Sequence, residues 1–123
     1  MTDRPEGRGL MPVPLYQAKA EFFRMLGHPV RIRVLELLQA GPMRVRDLLA
    51  DLQIEAAALS QQLGVLRRAG IVTATREGTS VVYALAGTDV ADLMRAARRI
   101  LTELIDDQSA LRVELVKSLA ETA

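Results

Sequence analysis

"EAAALSQQLGVLRRAGIV", residues 55–72, is the stretch on which the fold turns. Leu59, Leu63 and Leu66 recur at i, i+4 and i+7, so they share one face of a helix. The other face holds Ala56, Ala57, Ser60, Gln61, Gly64, Arg67 and Arg68, with Gln62 at the boundary. Gly70 stops the helix, and "IV" begins a different pattern. Ser60, Gln61 and Gln62 stand side by side on the front half, each able to donate and to accept hydrogen bonds. On an ordinary surface helix such residues only meet water. On a helix that enters a groove of nucleic acid they can read base edges.

The segments upstream are helical and short. "RVRDLLADL", residues 44–52, buries Val45, Leu48, Leu49 and Leu52, and Gln53-Ile54 turns the chain into the quoted helix. Before it, "HPVRIRVLELLQAG" starts a helix with Pro29 at the first position, where a missing N–H costs nothing. Val30, Val34, Leu37 and Leu38 face inward, and Gly41-Pro42 ends it. "LYQAKAEFFRML", residues 15–26, carries Leu15, Ala18, Phe22, Met25 and Leu26 on one stripe, and Gly27 closes it. Residues 1–14, rich in Gly, Pro and charge, read as a flexible arm without the apolar core of a signal peptide.

Downstream the period changes from helical to alternating. "IVTATRE" and "SVVYALA" are β-branched runs joined by Glu77-Gly78-Thr79, a hairpin signal. Thr88 or Asp89 then caps another helix. Its stripe of Val90, Leu93, Met94, Ala97, Ile100, Leu101, Leu104 and Ile105 is interrupted at Asp106-Asp107-Gln108-Ser109 and resumes at Leu111. Residues 88–120 are therefore either one continued helix or two. The expected class is mainly α with a small β-hairpin, in the order α-α-α-α-β-β-α with room for a sixth helix.

Composition narrows the chemistry. The net charge is +1, so no whole-protein field draws in a polyanion. Residues 24–86 nevertheless hold eight Arg against five acids, and residues 87–123 hold five bases against seven acids. The basic excess sits around the quoted helix. The chain has no Cys, which excludes disulfides, thiolate metal sites and thiol switching. No apolar run reaches membrane-spanning length, and the expected location is the cytoplasm. A catalytic triad is not supported: the single His28 lies far in sequence from Ser60 and Ser80. Asp106-Asp107 has no apolar pocket pattern around it. No enzyme activity and no cofactor are expected.

Two short helices joined by a tight turn can lay the second one in a DNA major groove. Gln pairs in bidentate fashion with adenine, Ser addresses several bases, and Ala methyls can meet a thymine methyl. Gln61 and Ser60 are the expected base readers. Arg67 and Arg76 are the expected phosphate contacts, Arg76 near the tip of the hairpin. Gln62, nearer the buried face, is expected to matter less or through stability.

"FFRMLGHPVRIRVLELL", "LSQQLGVLRRAGIV" and "TREGTSVVYAL" resemble the ArsR/SmtB family of bacterial winged-helix repressors over about residues 18–105. The resemblance implies a homodimeric winged helix-turn-helix, with the helix-turn-helix at 44–52 and 55–68 and the wing at 71–86. The residues expected to contact DNA are Arg44, Ala56, Ala57, Ser60, Gln61, Gln62, Arg67, Arg68, Arg76 and Thr79. The resemblance implies dimerisation helices at 15–26 and 88–120, with Leu15, Phe22, Leu93, Ala97, Ile100, Leu101 and Leu104 at the interface. It further implies repression of an operator until an inducer arrives.

The chain departs from the family pattern at three places. Arg44 and Arg46 stand where metal-sensing relatives often carry thiols. The last long helix has Asp89, Asp92 and Glu103 but no His. Glu55 replaces the usual Ser at the start of the recognition helix. No metal site is expected, and the inducer is not legible. His28, ahead of Pro29, reads as a cap or a packing residue. Arg95, Arg98 and Arg99 read as a solvated face pairing with Asp92 and Glu103, or else as an anion sensor. The competing reading is a winged-helix module that binds protein and has lost specific DNA binding.

Overall fold

A computed structural model describes residues 13–122 of the chain. Helix α1 spans Leu15–Leu26, α2 Pro29–Leu38, α3 Val45–Leu52, α4 Ala56–Arg68 and α5 Asp89–Thr122. Strands β1 (Met43–Arg44), β2 (Val72–Glu77) and β3 (Ser80–Leu85) form one antiparallel sheet in the order β1-β3-β2. Of the arm expected at residues 1–14, residues 1–12 lie outside the described residues, and Pro14 is the N-cap of α1.

The boundaries have local causes. His28 caps α2: its Nδ1 accepts from the Val30 N–H at 3.1 Å, and Pro29 follows in the first turn. Gln53 closes α3 in the left-handed region at φ 54°, its N–H donating to the Leu49 carbonyl at 2.8 Å. The end of α4 is a full Schellman motif. The Ile71 N–H donates to the Leu66 carbonyl and the Gly70 N–H to the Arg67 carbonyl, both at 3.0 Å. That motif needs a residue at positive φ, and Gly70 supplies φ 78° without a side-chain penalty. The wing turn is tighter than the three residues expected. Glu77 pairs with Ser80, leaving Gly78 (φ 64°) and Thr79 as a two-residue loop.

The core is a cluster of buried aliphatic residues drawn from five of the elements and the end of α1. Leu26, Val34, Leu35, Leu38, Leu48, Leu59, Leu63, Leu66, Val72 and Met94 are all buried. The inner stripe of α4 is therefore the three leucines read from the spacing. No polar or charged residue among the described ones is fully buried.

Two features differ from, or resolve, the sequence reading. Residue 44 is not helical: Met43 and Arg44 pair with Tyr83 and Val82 as a third strand. Two residues are too few to show a period of two, so nothing in the pattern marks them as a strand. The last helix is single. It runs 34 residues, roughly 50 Å at the usual rise, straight through Asp106-Asp107-Gln108-Ser109. Those four residues interrupt the apolar stripe, yet none of them breaks helical backbone.

Candidate nucleic-acid interface

Burying Leu59, Leu63 and Leu66 turns the opposite side of α4 outward. Ala56, Ala57, Ser60, Gln61, Arg67 and Arg68 are all exposed. The front of that face carries small side chains, so a partner surface can come close to the helix axis. Arg68 lies back along the helix over Gly64: a Cβ there would stand 3.0 Å from its Nη1. The two arginines in the last turn also favour the negative end of the helix dipole.

Glu55 is the N-cap residue, exposed and with extended backbone, but its side chain makes no capping hydrogen bond. The N–H groups at the front of α4 thus lack a side-chain acceptor from that position. Gln62 is half-buried. Its Oε1 accepts from Arg31 Nε at 2.7 Å, and Arg31 Nη1 donates to the Met25 carbonyl, also at 2.7 Å. Arg31 in α2 therefore ties the boundary of α4 to the end of α1. Sequence reasoning missed this residue, because a contact between positions 31 apart has no local signature.

The wing follows α4 directly through the turn at Gly70. Arg76 and Thr79 are exposed on it, and Arg44 enters its sheet through β1. The fold thus places Arg44, Arg76 and Thr79 around one hairpin and Ser60, Gln61 and Arg67 on one helix. Among the described residues the ion pairs are Arg33 with Glu36 and Arg95 with Asp92. Arg98, Arg99 and Glu103 are not part of an ion pair there, so the expected pairing is present only for Arg95.

A second surface is formed by α1 and α5. Phe22 and Leu93 are half-buried and line one groove of about 470 Å³ between α1 and the start of α5, together with Phe23 and Val90. Leu15 is 70% exposed, and Ile100, Leu101 and Leu104 are each more than half exposed. From Arg98 to Glu121 every residue of α5 is exposed, including Leu111, Leu115 and Leu119. Among the described residues no three of His, Cys, Asp and Glu gather closely enough to hold a metal ion. No helix among the described residues is long and apolar enough to cross a membrane.

The family model of the bacterial regulatory protein arsR family matches residues 28–74, from the cap of α2 into β2. The HTH-type transcriptional regulator Rv0081 of Mycobacterium tuberculosis is 48% identical over 103 residues, 83% of this chain and 90% of its own. The chain belongs to the ArsR family of bacterial regulatory proteins. As an ArsR-family protein it is a DNA-binding transcriptional regulator with a winged helix-turn-helix, and not an enzyme. The crystal structure of Rv0081 superposes with a TM-score of 0.73 at 49% identity, covering 79% of this chain and 98% of that one. The biofilm growth-associated repressor of Agrobacterium fabrum is 38% identical over 98 residues, 76% of this chain and 84% of its own. The solution structure of a homodimeric winged helix-turn-helix DNA-binding domain from Mycobacterium bovis, a possible ArsR-family regulator, gives a TM-score of 0.68 at 26% identity. It covers 86% of this chain and 94% of that one.

The Arg31–Gln62 contact generates a test within this ArsR-family fold. Gln62→Ala removes an acceptor for a half-buried guanidinium, and the expected loss is about 1.5 kcal/mol, at the low end for a bond to a charged group. Urea denaturation of the variant reads it directly. A stability equal to that of the unaltered protein would show that the bond adds nothing net.

Proposed function

We propose that the protein is a homodimeric, sequence-specific repressor that lays α4 in the major groove of an operator. The observation that carries this reading is the exposed face of α4, with Ala56, Ala57, Ser60, Gln61, Arg67 and Arg68 all outward, followed in the chain by a wing bearing exposed Arg76. Gln61 and Ser60 read base edges, while Ala56 and Ala57 let the helix approach and offer methyl contacts. Arg67, Arg68 and Arg76 contact phosphates, with Arg44 and Thr79 beside them at the wing. Gln62 supports α4 from its boundary through Arg31. Relatives named as repressors support the direction of regulation.

The dimer is built from α1 and from α5 up to about residue 120. Its motivation is the apolar surface that one protomer leaves bare, far more than scattered single exposures. A two-fold axis through that surface doubles the reading helices for a two-part operator, and the homodimeric relative from Mycobacterium bovis supports it. The signal is not a thiol-bound metal, since the chain has no Cys. His28 spends its Nδ1 on the cap of α2.

Three measurements check this. A base reader discriminates and a phosphate contact does not. Gln61→Ala is expected to cost on the order of 1–3 kcal/mol on the operator and little on scrambled DNA. Arg76→Ala is expected to weaken both alike and to lower the magnitude of the salt slope by roughly one. Titrations at several salt concentrations on both duplexes decide the roles. Equal losses for Gln61→Ala on both would sink the division, and salt-insensitive binding throughout would favour the protein-binding module. Leu104→Asp places a charge on the bare stripe and is expected to give monomers in sedimentation. A stable monomer of the unaltered chain at micromolar concentration contradicts the dimer. Calorimetry with zinc, nickel or copper is expected to show no tight stoichiometric site. Tight binding that also releases DNA would overturn the non-metal signal.

A further inference from the structure

One side chain joins three helices. Arg31, half-buried in α2, donates from Nε to Gln62 Oε1 in α4 and from Nη1 to the Met25 carbonyl in the last turn of α1, each at 2.7 Å. The second bond caps the C-terminus of α1. The neighbouring carbonyls there are met locally, those of Phe23 and Arg24 by the Gly27 N–H and that of Leu26 by the His28 N–H. The Met25 carbonyl is met by the guanidinium, a cation at the negative end of the helix. Among the described residues Arg31 takes part in no ion pair, so its half-buried charge rests on these two neutral oxygens. The far end of α2 is tied as well: the Gln39 amide donates to the Ala91 carbonyl of α5 at 3.3 Å. Helix α2 is thus fastened to both helices of the apolar surface, and Arg31 reaches from it to α4.

What α4 receives from this bond is a direction. Its inner leucines hold it by burial, which is non-directional, whereas a hydrogen bond weakens steeply off its line. The N-cap residue Glu55 makes no side-chain bond. Among the described residues, no other side-chain hydrogen bond joins α4 to another element. Gln62 directly follows the exposed Gln61, so what fixes the one limits the swing of the other. Bidentate contact with a base edge tolerates a displacement of only about 0.5 Å. We propose that Arg31 is a positioning residue for DNA selectivity: through Gln62 it sets the rotation of α4, against the frame of α1 and α2, at which Gln61 meets its base. The inference deepens the sequence-specific reading above and rests on it. Arg31 acts here without touching DNA.

The full chain is titrated at several salt concentrations onto two labelled duplexes, one selected by the unaltered chain from a randomised library and one scrambled. The quantity read is the ratio of the two affinities. Partial unfolding lowers both affinities alike, so a merely structural role leaves the ratio where it is. Arg31→Met keeps the stem and removes both bonds, and Gln62→Ala removes the acceptor. Each is expected to lower the ratio roughly tenfold, within what one misplaced bidentate contact accounts for. The double variant R31M/Q62A is expected to lose no more than either, since the two residues act as one unit. Gln62→Glu keeps an acceptor for the guanidinium and is expected to hold the ratio of the unaltered chain. The salt slope is expected to stay the same in Arg31→Met, because no phosphate contact is lost. An unchanged ratio in Arg31→Met overturns the positioning role and leaves sequence-specific binding intact. Losses that add in the double variant, or a slope lowered by roughly one, overturn it too. If Arg31→Met does not fold, Gln62→Ala and Gln62→Glu decide: equal ratios in those two overturn the proposal, and a loss shared by both assigns Gln62 to the bases. Failure of the selection to enrich any sequence overturns the specific reading and the positioning role together.

Discussion

The contact of Leu59, Leu63 and Leu66 with Leu35, Leu48 and Val72 is the constraint from which the rest of the molecule follows. A helix of thirteen residues has two faces, and only one can be buried. Each leucine taken out of water contributes about 1.5–3 kcal/mol, so the three from α4 together are worth a large share of the net stability of a small domain. Rotating α4 by half a turn would lose that contribution and bury Ser60, Gln61 and Arg67 without partners. Its outer face is thereby held outward as firmly as its inner face is held inward. The Schellman motif at Gly70 then sends the chain back as the wing, and the Arg31 link holds the boundary residue Gln62.

Charge works locally here. A chain with a net charge of +1 has little field at a distance, and salt screens most of what it has. What matters is placement. Arg67 and Arg68 end the helix, Arg76 stands on the wing, and Arg44 and Arg46 stand where β1 hands over to α3. All five lie around the helix-turn-helix and the wing, while the acids of α5 lie on the helix that leaves the domain. Exposed ion pairs such as Arg33–Glu36 contribute little to stability, so this arrangement is of consequence for binding more than for folding.

Helix α5 sets a different problem. Its first turns pack Met94 into the core and link to α2 through the Gln39 amide and the Ala91 carbonyl at 3.3 Å. The remainder carries an apolar stripe that its own domain does not cover. In water such a stripe is an invitation to a second copy of the same surface. The bare residues of α1 (Leu15, Tyr16 and Phe23) belong to the same invitation.

Much was legible because periodicity and capping are local. The spacing of Leu59, Leu63 and Leu66, Pro29 at the start of α2, Gly70 at the end of α4 and Gly78 in the wing each report on a few neighbouring residues. The helices and the hairpin they mark stand where the sequence put them. The candidate readers Ser60 and Gln61 were legible for the same reason: once the leucine stripe is known, the opposite face is known. What the sequence left open depends on distance. Whether α5 continues through Asp106-Asp107-Gln108-Ser109 was undecided, because those residues weaken an apolar pattern without forbidding a helix. Strand β1 was invisible, because its two residues become a strand only when β3 arrives beside them. The Arg31–Gln62 bond likewise joins residues remote in sequence. Local chain stiffness and the side-chain period determined the elements. Only the packed tertiary structure, by satisfying hydrogen bonds and burying surface across long gaps, decided which side chains meet.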